Sequence, residues 1–187
     1  MNRRLFFRFP LVAGVFASAH SSIAAAVAQV LSPGRGQVLV KAGADRDNSP
    51  FQFLDATFHV KVSGKDNEDR CVIFDTLRPA KVGPRLHLHT DCDEWFFVRD
   101  GEFKFKTGDE ILHLQAGNSL FVPRNMPHAF VKISEGTARL IVMHQPAGTM
   151  GEYFRTASKF TNQSPEQTKS FAEKHGMRIL GPALTAD

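Results

Sequence analysis

Between residues 56 and 144 the chain is written as short segments rich in Val, Ile, Phe, Leu and Thr, interrupted at short intervals by Gly, Pro, Asn or Asp. Strands are expected at 38–41, 56–62, 71–77, 85–89, 94–99, 102–107, 110–114, 119–122, 128–133 and 138–144. Asp100-Gly101 and Gly108-Asp109 mark hairpin turns, and the polar run 64–69 is a further turn. So many short strands divided by turn residues indicate an antiparallel all-β sandwich or barrel. Two helices are expected to close the chain. One covers 151–157; the other starts at Ser164 as N-cap, with Pro165 at its first position, Gln167 completing a capping box and Gly176 as its stop. The sequence divides into residues 1–28, a barrel over 37–148 and a C-terminal helical extension over 149–187, with no internal repeat and no second domain.

The first 28 residues read as an address. Paired arginines precede an apolar stretch over 11–19, and Ala26-Val27-Ala28 offers a small-x-small cleavage site. The run from Asn2 to Arg8 resembles the twin-arginine export signal, in which an Arg pair is followed by a large apolar residue and then a basic one. Pro10, Gly14 and His20 break the apolar stretch, so a cleaved signal is expected rather than a membrane anchor, and the mature chain is expected in the periplasm or secreted. Substrates of that route cross the membrane folded, so a metal can be loaded beforehand.

The charge balance bears on partners. The chain carries 23 Lys+Arg against 19 Asp+Glu, but three of the arginines lie in residues 1–28 beside no acid, so the excess falls from +4 to +1 without that segment. Nucleic acid is therefore not an expected partner. Seventeen Phe against one Trp and one Tyr points to aromatics that fill a core rather than a stacking platform. Two cysteines and no CxxC exclude a disulfide-dense scaffold and a cysteine-based zinc finger. Cys71 and Cys92 read better as two free thiols than as a pair.

The chemistry is concentrated in His87-Leu-His89, Glu94 and His128. Side chains alternate along a strand, so His87 and His89 face one way and Leu86 and Leu88 the other. Two imidazoles then converge on one point, Glu94 returns beside them after a short turn, and His128 starts a later strand behind a Pro-bounded loop. Phe96 and Val98 share the parity of Glu94, and Phe130 that of His128, so these three are candidates to line a substrate cavity or simply to fill the barrel. His59, His113 and His144 lack paired ligand spacing and read as surface or hydrogen-bonded core residues; Cys92 reads as a loop residue rather than a fifth ligand.

The arrangement HxHxxxxE, then Gly101, then Gly117, Pro123 and His128, resembles the two motifs of the cupin superfamily. The resemblance extends over roughly residues 37–184, through Pro146-Ala147-Gly148, Tyr153-Phe154 and a closing Gly-Pro-x-Leu, to single-domain cupins of the quercetin 2,3-dioxygenase-like group. Three departures occur. Gly83 stands closer to His87 than the motif glycine does, Asn125 replaces the second-motif Gly, and Lys132 replaces the terminal Asn. Asn tolerates a left-handed backbone, so that turn is expected to be kept.

The resemblance implies a double-stranded β-helix, or jelly-roll barrel, and one divalent transition metal held by His87, His89, Glu94 and His128. Mn, Fe, Co, Ni, Cu and Zn all suit three imidazoles and a carboxylate. Such a set leaves positions open for substrate or dioxygen. The activity implied first is a metal-dependent dioxygenase acting, with O2, on an enol-bearing or aromatic small molecule, with Glu94 as ligand, as general base, or as both. A non-oxidative decarboxylase, isomerase or lyase, or a binding cupin without turnover, are the alternatives on the same site. Homodimerisation through an edge strand is implied by resemblance alone.

Overall fold

The computed structural model describes residues 36–187; the expected export signal over 1–28 lies outside them. Among the described residues eleven strands form two antiparallel sheets. The first sheet is ordered β1 (Phe51–Phe53), β2 (Ala56–Val62), β3 (Val72–Arg78), β10 (Ala138–Gln145), β5 (Asp93–Asp100) and β8 (Ser119–Val122). The second is ordered β11 (Met177–Ala183), β4 (Arg85–His89), β9 (His128–Lys132), β6 (Glu102–Thr107) and β7 (Glu110–Gln115). The strands pass back and forth between the sheets, giving the cupin jelly roll.

The inward face of each strand follows from alternation. Phe96 and Val98 on β5, Phe103 and Phe105 on β6, and Leu140 and Val142 on β10 are buried and pack into one apolar cluster with Phe130. A second cluster gathers Phe58, Val60, Val72 and Phe74 beneath Met150, Tyr153, Ala172 and Met177 of the C-terminal segment. A fully buried side chain of this size stabilises the fold by about 1.5–3 kcal/mol, so these Phe-rich layers are the main source of barrel stability.

Two glycines mark places where backbone must come close. A Cβ on Gly83 would stand 1.7 Å from the Phe130 carbonyl oxygen, so any side chain there would push the entry to β4 away from β9. Gly101 closes the hairpin between β5 and β6 at φ +84°, where a Cβ would meet that of Ala138 at 2.5 Å. Asn125 does adopt the left-handed backbone, at φ 64°, as expected of the residue replacing a motif glycine.

Helix α1 (Met150–Ala157) and helix α2 (Pro165–Lys174) stand where the sequence places them. In α2 the Ser164 Oγ accepts from the Gln167 amide and the Gln167 side chain accepts from the Ser164 amide, completing the capping box. Three local expectations need correction. Residues 38–41 form no strand: Leu39 is 85% exposed, and the segment is tied down by Lys61 Nζ, which donates to the carbonyls of Lys41 and Ala44. A strand at Phe51–Phe53 was not anticipated, being only three residues long. The extension over 149–187 is helical only in part, since its last portion is β11, paired with β4 from Met177↔His89 to Ala183↔Arg85. Among the described residues no helix is long and apolar enough to cross a membrane.

Candidate metal centre

Strand pairing brings the four expected ligands together. His87 and His89 project from β4 on one face, and His87 lies opposite His128 of β9 in register. Glu94 comes from β5 across the barrel. Each of the four is buried, and one ligand atom from each lies within 4.8 Å of all the others. The cluster sits between the two apolar layers: the His128 ring is 6.1 Å from Phe96, and the nearby His144 ring is 6.1 Å from Phe74.

The imidazoles are oriented from behind. His87 Nδ1 is 2.7 Å from the Arg85 carbonyl oxygen and His128 Nδ1 is 2.9 Å from that of Met126, so in both rings Nδ1–H donates to backbone and Nε2 is turned into the cluster. His128 Nε2 meets Glu94 Oε2 at 2.8 Å. His89 Nε2 lies 3.2 Å from the same oxygen, without hydrogen-bond alignment, and its Nδ1 has no partner. A buried imidazole left this way costs free energy unless a cation takes its lone pair.

Protonation follows from burial and neighbours. Burial drives His87 well below the ordinary histidine range, reinforced by His128 and His89, and burial also lowers His89 against the pull of Glu94. Burial opposes a charge on His128 too, but the hydrogen bond and negative charge of Glu94 prevail and raise it. For Glu94, burial alone would favour the neutral acid; the surrounding His144, His128 and His89 outweigh it and hold the carboxyl well below its usual range. Uncharged His87 and His89 beside an ionised Glu94 are in the states a divalent ion requires, and His128, whose proton Glu94 favours, would release it on taking the ion. The donor chemistry, the inward Nε2 atoms and the unsatisfied His89 all fit a first-row metal, with its identity left open among the candidates.

Sequence reasoning missed one member of this neighbourhood. His144, expected to be an ordinary strand histidine, is fully buried, lies opposite Glu94 in the β5–β10 register, and places Nε2 3.2 Å from Glu94 Oε1. It stands outside the group of four converging ligand atoms. Inward alternation through Ala138, Leu140 and Val142 carries on to His144 and was the available signal; its pairing with Glu94 needed the register. His59 is half-buried and His113 exposed, as expected of residues outside the site. Cys71 and Cys92 are free, with Cys92 packed in an apolar cluster rather than among the ligands.

Beside the cluster opens a cavity of about 260 Å³, with His87 and Glu94 in its wall and Phe58, Phe130, Tyr153 and Phe154 among its apolar lining. Phe130 thus takes both roles open to it, packing in the apolar cluster and facing the cavity. Phe96 and Val98 take the other expected role and fill the barrel: both are fully buried in the apolar cluster and lie outside this wall, because their inward direction leads into the far layer of the barrel. The cavity is closed by α1, α2 and β11, whose Phe154, Phe171 and Ile179 line it.

Residues 74–144 match the Cupin domain family. No curated protein matches the chain. Among solved structures the chain is similar to KdgF from Halomonas sp., at 16% identity over 59% of this chain and 94% of that one, with a TM-score of 0.50. It is similar to an RmlC-like cupin from Shewanella frigidimarina at 17% identity, 61% and 95% coverage and a TM-score of 0.50. A predicted oxalate decarboxylase from Thermotoga maritima aligns at 13% identity, 58% and 98% coverage and a TM-score of 0.53. At such identities the likeness is one of fold. The matched segment contains all four converging ligands, and the jelly roll is the fold shared with these solved structures.

Proposed function

We propose that this chain is a metal-dependent cupin enzyme, a dioxygenase of the quercetinase-like group acting on an enol-bearing or aromatic small molecule. The observation that carries the reading is that His87 and Glu94, two of the four converging ligand residues, stand in the wall of an aromatic-lined cavity large enough for a small organic substrate. His87, His89, Glu94 and His128 would hold the ion, which when bound supplies Lewis acidity toward a substrate oxygen. The protein's own contributions are separate. The backbone carbonyls of Arg85 and Met126 fix two imidazoles, and the aromatic wall excludes water and orients a flat substrate. Glu94, ionised and touching three imidazoles, is the carboxylate in reach to accept a proton from a substrate hydroxyl in the cavity.

The test is metal analysis of the protein isolated from its own host, followed by oxygen-electrode measurements with a flavonol and smaller enol-bearing aromatics. Oxygen uptake that depends on both metal and substrate is expected. If no such substrate stimulates uptake with Mn, Fe, Co, Ni or Cu bound, the dioxygenase reading fails. Export of this enzyme through the twin-arginine route belongs to the same proposal and rests on the run Asn2 to Arg8. Lysine at both Arg3 and Arg4 should hold the precursor in the cytoplasm, and normal export of that variant would refute the route.

A further inference from the structure

The cavity contains a charged residue that the metal reading does not use. Arg78, at the end of β3, lines it and is only 3% exposed. Its guanidinium stacks over Phe130 at 4.7 Å and over Phe58 at 5.7 Å. Nε donates to Thr76 Oγ1 at 3.2 Å, and Thr76 Oγ1 in turn donates to the Leu140 carbonyl, so the side chain is held from the sheet. Asp55 is the nearest acid, with Oδ1 3.7 Å from Nη1, beyond hydrogen-bond distance. Among the described residues neither terminal nitrogen of Arg78 makes a hydrogen bond. A second arginine, Arg85, lies exposed on the same cavity, and Glu94 is the one carboxylate in its lining.

A buried cation without full hydrogen-bond satisfaction is costly to maintain. Burial lowers Arg78 to about 10, which still leaves it charged at neutral pH. The local balance also matters. Asp55 and Glu94 would offset a divalent ion, which leaves the charges of buried Arg78 and of exposed Arg85 uncompensated in the pocket. The unengaged edge of a guanidinium presents a donor fork whose planar complement is a carboxylate.

We infer that Arg78 is a specificity-determining residue that receives the carboxylate of an organic acid whose apolar body lies against Phe130 and Phe154. This inference rests on the metal-enzyme reading of the same cavity and narrows its substrate class to anionic aromatic acids. Arg85, at the exposed part of the cavity, draws the anion inward, and Arg78 fixes which end of the molecule goes deep.

The probes are cinnamate and its neutral amide, cinnamamide, titrated calorimetrically into the full chain, with metal content measured on every preparation. Wild type should bind the carboxylate at least about tenfold more tightly than the amide, the gain typical of a charge-assisted hydrogen bond. In Arg78→Met that preference should fall below about threefold at unchanged metal content, while Arg78→Lys keeps part of it. Because Arg78→Met strands the Asp55 carboxylate, Arg78→Met with Asp55→Asn provides a second variant that removes both charges. Equal affinity for the two probes in metal-loaded wild type, or a preference that survives the double replacement, overturns the inference. Repeating the titrations on chelator-stripped protein separates the two readings. An Arg78-dependent preference that persists there upholds the anion site even if the metal chemistry fails, and a preference lost with the metal alone assigns it to the ion and refutes the role of Arg78.

Discussion

His144 Nε2 stands 3.2 Å from Glu94 Oε1 while His128 Nε2 is hydrogen-bonded to Oε2 at 2.8 Å, so the buried carboxylate has an imidazole beside each oxygen. Glu94 and His144 are direct cross-strand partners of β5 and β10, which makes this contact a property of the sheet rather than of a loop. His144 is a positioning residue: packed beside the carboxylate as its cross-strand neighbour, it limits where Glu94 can present its other oxygen.

His144→Leu should therefore lower metal affinity by about tenfold to a hundredfold, the effect usual for losing a partner that orients a ligand. His144→Gln, which keeps a polar group beside Oε1, should recover part of it. Metal titration beside circular dichroism measures both. Unchanged affinity in a folded His144→Leu protein would remove the residue from the site.

His87→Ala and His128→Ala should each strip the metal and leave the barrel folded. The basis is that fold stability resides in the two Phe-rich layers, whereas these imidazoles face each other across a polar cluster. Elemental analysis with circular dichroism decides it, and full occupancy in either variant would contradict the four-ligand assignment.

The acid stability of the barrel should depend in part on Asp66. Arg46 Nε reaches both Asp66 oxygens at 2.9 Å, and this hydrogen bond, assisted by the Ser63 amide, outweighs burial and lowers the carboxyl to about 2. A carboxyl depressed in the folded state stabilises it above its unfolded value of about 3.9, and that contribution is lost as pH falls from there toward 2. Asp66→Asn should thus lower the urea midpoint at neutral pH and make little difference near pH 2. The same deficit at both pH values would show that the ion pair carries no linkage.

Cys92 should be nearly inert in the folded protein. It is 5% exposed, and burial, with Glu94 and Asp91 nearby, pushes its thiol up to about 12, so thiolate is scarce at neutral pH. Half-buried Cys71 should react with iodoacetamide well before Cys92, and urea should bring the two rates together. Peptide mapping of the alkylated protein reads this out; equally fast native labelling would show that the Cys92 region opens readily.

Much of the architecture could be read from local signals. Strand limits at Ala56–Val62, Arg85–His89, Glu102–Thr107 and Ser119–Val122 coincide with runs bounded by turn residues, and the Ser164–Gln167 capping box forms as its spacing implies. Alternation put His87 and His89 on one face of β4 because neighbouring side chains on a strand must point oppositely. The same rule showed that Phe96, Val98 and Phe130 point inward, but the barrel interior has two ends. Only the packing shows that Phe130 meets the cavity while Phe96 and Val98 fill the closed layer.

Local order along the chain therefore fixes what depends on near neighbours: strand periodicity, turns, caps and the motif that presents His87, His89, Glu94 and His128. Whatever depends on register between distant strands is settled in the folded barrel. The meeting of Glu94 with His144, the seat of Arg78 over Phe130, and the return of β11 beside β4 bring together residues dozens of positions apart. Side-chain alternation says which face a residue takes, while pairing across the sheets sets its partner there, and that pairing is chosen by packing of the whole core.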